Sequence, residues 1–231
     1  MNNTKKNYSK YLLEFIVIVL GISVSFYWEA RIEERSRNAI KNQSLQRIVK
    51  NIDQDIADLK LNYSIHQTSI HASKRFAHLE EIRKRHIDSV AIYFNIAVQL
   101  STVFSDNDEE YQAMRNSGLI EKITNDVVIE MLQQKYSQHH YIKFIELEIL
   151  NPNKNNELKD FLYSNTTGIV AGASIFASLP VLALPKDIEF PKNIQPLIMQ
   201  KMAYHEKFLE LINTRLTQDS LLRIKIIEEI D

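Results

Sequence analysis

Eighteen consecutive residues, Tyr11 to Trp28, carry a single charge, Glu14, and end in the aromatics Phe26, Tyr27 and Trp28. As a helix, such a run is roughly 27 Å long, close to the hydrocarbon thickness of a bilayer. It divides the chain into a tail (1–10), a transmembrane helix (11–28) and a water-soluble remainder (29–231). A cleaved signal peptide is the rival reading. Lys5, Lys6 and Lys10 would form its basic region, and Ser23-Val24-Ser25 fits a small-x-small cleavage site. Glu14 interrupts that apolar core, and the terminal aromatics suit a retained helix at the lipid interface. Basic residues flank the span on both sides, with Arg31, Arg35, Arg37 and Lys41 following it. The acid-free tail is expected in the cytoplasm and the soluble domain outside, in the periplasm, with the span in the inner membrane.

Glu14, Ile18, Gly21, Ser25 and Trp28 are spaced 4, 3, 4, 3 and so share one stripe of the helix. Gly21 and Ser25 form a small-xxx-small pair that permits close backbone approach. Glu14 also lies one turn after Lys10, which can pair with it and draw it toward water. The stripe is the expected oligomer interface, most simply of a homodimer.

Glycine and proline are scarce. The chain has 4 Gly and 5 Pro, no proline before Pro152 and no glycine between Gly21 and Gly118. Such stretches lack the residues that stop helices and shape hairpins, so the fold class is all-α, with the span continuing into a long-helix bundle. Leu45, Ile48, Ile52, Ile56, Leu59 and Tyr63 form an apolar helical stripe with Arg47, Lys50, Asp53, Asp55, Asp58 and Lys60 around it. A second helix is expected from Ser69 to Val103. Ser105 or Asp106 is placed to cap the next, short helix, Tyr111 to Asn116. Ser117-Gly118 closes that helix, with Gly118 at a C′ position and Tyr111 in the core, forming a structural corner. A further helix starts at Asn125-Asp126 and runs to Leu150, where Asn151-Pro152-Asn153 breaks it. The last runs from Ile194 to the end. Residues 161–185 carry no charge and contain Gly172 and Pro180. A buried helical or extended segment capping the bundle is favoured over a second span, for which 169–184 is short.

Composition excludes several chemistries. With no cysteine, disulfides, thiolate metal sites and cysteine nucleophiles are absent. Lys+Arg 28 against Asp+Glu 29 gives a net charge of -1 and no electrostatic reason to expect nucleic acid. His78 and Glu81 have the i, i+3 spacing of carboxylate-bridged helical metal sites, but no second such motif accompanies them. His71 shares their face; His139 and His140 point in different directions. Hydrogen-bonded or solvent-facing histidines are the expected state, and no cofactor or metal is expected. Arg83-Lys84-Arg85-His86 is a basic cluster read as a solvated face. No catalytic triad, phosphate loop or paired-carboxylate pocket is present as a motif, and no enzymatic activity is expected.

Two blocks resemble a known bacterial family. Residues Glu14 to Ser25, followed by Trp28-Glu29 and the charged helix to Leu59, are similar to its Glu-containing span with a Gly-Ile pair. Residues Tyr111 to Asn125, with Tyr136 beyond them, resemble its Tyr-x-x-Leu-x-x-Ser-Gly-x-Leu signature, Met114 standing at the Leu position. The family is domain of unknown function 6090, found mainly in Bacteroidota. The resemblance spans roughly residues 10–60 and 108–140 and implies a single-pass inner-membrane protein; it carries no activity or site residue. The function expected is a membrane-anchored, partner-binding or oligomeric coiled-coil scaffold. The alternative is a membrane-bound sensor or defence effector that transmits a signal to or across the bilayer. The expected partners are the lipid bilayer, a second copy and an unidentified protein.

Overall fold

The structure is a computed structural model describing residues 3–78, 87–154, 156–175 and 179–230, with side chains for 10–78, 89–154, 157–170 and 180–230. One helix dominates it: α1, Asn3–Ala77, 75 residues without interruption. At 1.5 Å per residue it is about 110 Å long. It is followed by α2 (Ile87–Gln99), α3 (Glu109–Asn116), a 3₁₀ turn (Leu119–Lys122), α4 (Asp126–Ile145) and a π-helical turn (Glu146–Leu150). Then come a second 3₁₀ turn (Pro152–Lys154), α5 (Asn156–Ser164), the strands β1 (Gly168–Ile175) and β2 (Leu179–Ala183), and α6 (Ile194–Ile230). The fold is all-α apart from that two-stranded sheet.

α1 has two unlike halves. From Lys10 to Ile40 every residue is exposed, and this part holds a stretch long and apolar enough to cross a membrane. From Lys41 onward one face is buried. α6 runs antiparallel to it, as the pairs Lys41–Glu229, Arg223–Asp53 and Lys74–Glu206 show. α4 lies parallel to α1, with Lys135 beside Asp55 and Glu146 beside His66.

The buried face of α1 runs through Lys41, Leu45, Ile48, Ile52, Asp55, Leu59, Asn62, His66, Ser69, Ser73 and Phe76, alternating steps of 4 and 3. This heptad spacing persists through charged and polar residues, which the apolar stripe does not follow. Leu45, Ile48, Ile52 and Leu59 of the expected stripe are buried, and Ile56 and Tyr63 are half-buried against the core; the correction concerns Asp55, expected beside the stripe, which with Asn62 faces the interior. The same alternation orders Ile198, Lys201, His205, Phe208, Ile212, Arg215, Asp219, Leu222 and Ile226 on α6.

Three apolar layers result. The first joins Leu45, Ile48 and Ile52 to Tyr111, Met114, Ile123, Val128, Leu132, Leu222 and Ile226. The second joins Leu59, Phe104, Ile142, Leu150, Phe208 and Ile212. The third, farthest from the exposed half of α1, joins Ala72 and Phe76 to Phe94, Leu158, Leu162, Ile194 and Ile198, with the rings of Phe76, Phe94, Phe161 and Phe190 in mutual contact.

Three local expectations need revision. No new helix begins at Ser69; residues 64–77 continue α1, and α2 starts at Ile87. Neither Ser105 nor Asp106 caps α3, whose N-cap position is Asp108 without a side-chain bond. The Ser105 amide donates instead to Asp58, and Asp106 pairs with Lys143. The uncharged segment is not uniformly buried. After α5 it forms an antiparallel hairpin with a register shift between Ile169 and Ser174. Val181 is buried but Ile169 is 64% exposed, since alternate strand residues face opposite sides. Pro180 and Gly172 disfavour the helical alternative. Asn95 of α2 fastens β2: its side-chain amide accepts from the Leu182 N–H and donates to the Leu182 carbonyl.

The corner after α3 has a local cause. Gly118 sits at φ +72°, the left-handed region where a side chain is strained. Ser117 Oγ donates to the Ala113 carbonyl at 2.8 Å. Tyr111 is buried, its ring stacked on Tyr136 at 4.3 Å between centroids. Gly118→Val is expected to lower the melting temperature by a few degrees, from a conformational cost of roughly 1–2 kcal/mol. Thermal circular dichroism checks this; an unchanged transition would show that the corner tolerates a side chain.

Candidate functional site

Two polar layers lie inside the bundle, each between two of the apolar layers. The first gathers Asp55 from α1, Lys135 and His139 from α4, Arg215 and Asp219 from α6, and Asp106 from the loop before α3. Lys135 Nζ donates to Asp55 Oδ2 at 2.6 Å and lies 3.7 Å from Asp219 Oδ2. Arg215 Nη2 is 2.7 Å from Asp219 Oδ1, and Arg215 Nη1 donates to Gln138 Oε1 at 2.9 Å. The side chains of Asp55, Lys135, His139 and Asp219 are wholly buried.

With Lys143 on Asp106, three acidic side chains, Asp55, Asp106 and Asp219, face three basic ones, Lys135, Lys143 and Arg215. The His139 ring sits among the acids: Nε2 is 3.1 Å from Asp219 Oδ2, and Nδ1 is 3.6 Å from Asp106 Oδ2. Burial works to raise the Asp219 pKa, but the His139 hydrogen bond and the charges of Lys135 and Arg215 outweigh it and hold it below the usual carboxylate value. Asp106 is held low in the same way by His139 and Lys143 against its own burial. Such a layer adds little net stability relative to apolar packing, but only one alignment of three helices satisfies it. It therefore fixes register.

The second layer is a chain of hydrogen bonds from α1 to the π turn. His66 Nδ1 and His205 Nδ1 are 2.6 Å apart, His66 Nε2 is 2.8 Å from Thr102 Oγ1, and Thr102 donates to Glu146 Oε1 at 2.5 Å. Glu146 also accepts the Phe104 N–H, and Ser69 Oγ lies 3.3 Å from His205 Nε2. The π turn makes this possible: it wraps Glu146 inward at the end of α4, consistent with the frequent place of such turns at functional positions. One turn before His205, Lys201 is buried and donates to the Val98 carbonyl at 2.6 Å; burial brings its pKa down to about 7. Beside this layer a cleft of about 370 Å³ is lined by Gln99, Thr102, Glu146, Asn153, Lys159 and Tyr163, among others.

A third polar contact closes the end of the bundle next to the exposed helix. Glu229 accepts from Lys41 Nζ and from the amides of Thr124 and Asn125, and so ties α1, α6 and the start of α4 together. Burial would raise its pKa; the Thr124 and Lys41 hydrogen bonds prevail and lower it.

The stripe of the apolar helix stands apart from all of this. Glu14, Ile18, Gly21, Ser25 and Trp28 are exposed, with Lys10 4.0 Å from Glu14 and Ser25 Oγ donating to the Gly21 carbonyl. A Cβ built on Gly21 would meet nothing within 4 Å, so no contact within the chain calls for glycine there. His71 and His78 are exposed; Glu81 and the basic cluster 83–86 lie outside the described residues. Among the described residues no group of three His, Asp or Glu has a metal-binding arrangement. His139 is buried and His140 exposed.

The histidine and carboxylate layers were not singled out by sequence reasoning. A usable signal was the strict 4-3 alternation, which reaches Asp55, His66, Lys201, His205, Arg215 and Asp219 once polar residues are counted as interior candidates. No known family model matches this chain, and no curated protein or solved structure is significantly similar to it.

Proposed function

We propose that this chain is a single-pass inner-membrane protein whose anchored helix self-associates and holds a helical coiled-coil scaffold, in the periplasm, for a partner protein. The supporting observation is the exposed half of α1. Thirty-one residues of helix, Lys10 to Ile40, are all exposed, with no packing partner among the described residues, yet they carry one face with the small residues Gly21 and Ser25. In lipid, apolar bulk gives no net attraction between helices, and close backbone packing with polar contacts must supply it. A carboxylate near the apolar zone, Glu14, gains from pairing with Lys10 of its own or a neighbouring helix. The resemblance to domain of unknown function 6090 accords with the single-pass reading. The registering layers suit a rigid scaffold rather than a catalyst.

A second reading, a sensor or defence effector, draws on the continuity of α1. One unbroken helix links the apolar segment to the bundle, so a shift in the bundle has a direct mechanical route to the bilayer.

Gly21→Ile is expected to convert much of the full-length protein in mild detergent from dimer to monomer at micromolar concentration. Val19→Ile, on the opposite face, should leave the distribution unchanged. Mass photometry or cross-linking reads both. A wild-type monomer, or equal behaviour of the two variants, would remove the case for the stripe.

A further inference from the structure

At the His66–His205 contact α1 and α6 meet through two titratable rings, and its geometry limits how many protons it holds. Both side chains are wholly buried, and their Nδ1 atoms are 2.6 Å apart, which leaves room for one proton between them. A carboxylate only accepts, so the direction of the chain is set from its Glu146 end. Thr102 donates to Glu146, His66 Nε2–H donates to Thr102, His205 Nδ1–H donates to His66, and Ser69 donates to His205 Nε2. With both rings neutral, each ring nitrogen has a partner. A cation on His66 can face Glu146, 3.7 Å away, but His205 must then switch tautomer and Ser69 must turn from donor to acceptor. Two cations would set N–H against N–H across 2.6 Å.

The surroundings oppose added positive charge. Lys201 lies one turn away on α6, and the edge of the Phe208 ring packs on His66. Glu146 from the π turn and, farther along α1, Asp58 are the acidic groups near the layer. Asp58 is itself pushed up by burial, against the Ser105 N–H bond that lowers it. Burial, Lys201 and His66 together depress the His205 pKa far below 6.5.

We infer that the His66–His205 layer is a proton-sensitive clasp: closed while both rings are neutral, and opened on acidification, which parts the distal segments of α1 and α6 while the rest of the bundle holds. Nearer the apolar helix the Asp55–Lys135–Asp219 layer, Arg223–Asp53 and Lys41–Glu229 keep the helices together. Beyond the clasp the distal segments share the Lys74–Glu206 pair and the packing of Phe76 on Ile194 and Ile198, which opening must also loosen. The inference does not depend on the chain being a dimer.

The sign follows from linkage. A histidine with its folded pKa below 6.5 excludes a proton that the opened state accepts, so closure is complete above pH 6.5 and weakens as pH falls below it. Lys201 loses its contribution between pH 10.5 and about 7 and adds no slope below that. Carboxylates titrate mainly below about pH 4.5. The interval between pH 6.5 and 4.5 thus isolates the histidines, where one excluded proton changes the opening constant about tenfold per pH unit.

The test is hydrogen exchange of the full-length protein in detergent at about pH 6.0 and 5.0, inside the histidine interval. Peptides covering 62–76 and 198–212 are compared with 44–55 and 217–229 at the same pH, which cancels the chemical exchange rate. The clasp predicts an approximately tenfold relative loss of protection in the distal pair at the lower pH. It also predicts that His205→Gln, which keeps a hydrogen-bonding side chain that does not titrate, abolishes the pH dependence. Equal protection changes in both pairs, no change in either, or a pH dependence that survives His205→Gln would overturn it. If the variant does not fold, the wild-type comparison alone decides.

Discussion

Lys135→Met is expected to destabilise the bundle by about 3–5 kcal/mol, because it leaves Asp55 buried without its cation. Lys135 Nζ is 2.6 Å from Asp55 Oδ2 and 5.1 Å from the centre of the Tyr136 ring, and neither it nor Asp55 reaches solvent. The change is close in shape, so the loss is electrostatic rather than a packing defect. For a chain of this size the melting temperature should fall by on the order of 10 °C. The double variant Asp55→Leu/Lys135→Met removes both charges and should regain much of the loss, since apolar side chains of similar volume pack as well as a buried pair. Thermal melting by circular dichroism on the four corners of that cycle measures the coupling. A double variant no better than Lys135→Met alone would mean that the pair matters through something other than its mutual charge.

That pair also shows what could be read from the amino-acid order and what could not. The scarcity of glycine and proline, with apolar residues at steps of 3 and 4, points directly to long helices, and the structure is helical nearly throughout. Asp55 is harder. A carboxylate flanked by Asp53 and Asp58 reads as part of a solvated face, and the apolar neighbour Ile56 draws the stripe one residue aside. Only the arrival of Lys135 from α4, 80 positions away, makes its burial tolerable. His66 and His205 are obscured for the same reason: each is acceptable inside only because the other is there. Local pattern cannot reveal pairs made by tertiary contact. The paired strands Gly168–Ile175 and Leu179–Ala183 are open in the sequence to a helical or an extended reading, since a short apolar run without charge is compatible with either, and the choice follows from tertiary contacts: Asn95 bonds Leu182, and Val181 packs beside Leu100.

The two polar layers and the Glu229 contact divide the interior into alternating apolar and ionic sections. Sliding one helix by a heptad would keep apolar residues against apolar ones in places, yet it would part that helix's member of the Asp55, Lys135 and Asp219 layer from its partners. The bundle is thereby held to one register along most of α1. The exposed stretch from Lys10 to Ile40 carries no such layer.

Membrane attachment through that stretch is tested most directly by deleting residues 1–30 and fractionating cells that express the truncated and full-length chains. The bundle begins to bury α1 only at Lys41, so the deletion leaves its core whole. The full-length protein should pellet with membranes, resist carbonate extraction and retain its N-terminus by intact mass. The truncated protein should move almost entirely to the soluble fraction and keep its helical melting transition. A truncated chain that still pellets and resists carbonate would place a second attachment elsewhere, residues 169–184 first among candidates, and would contradict a single N-terminal anchor.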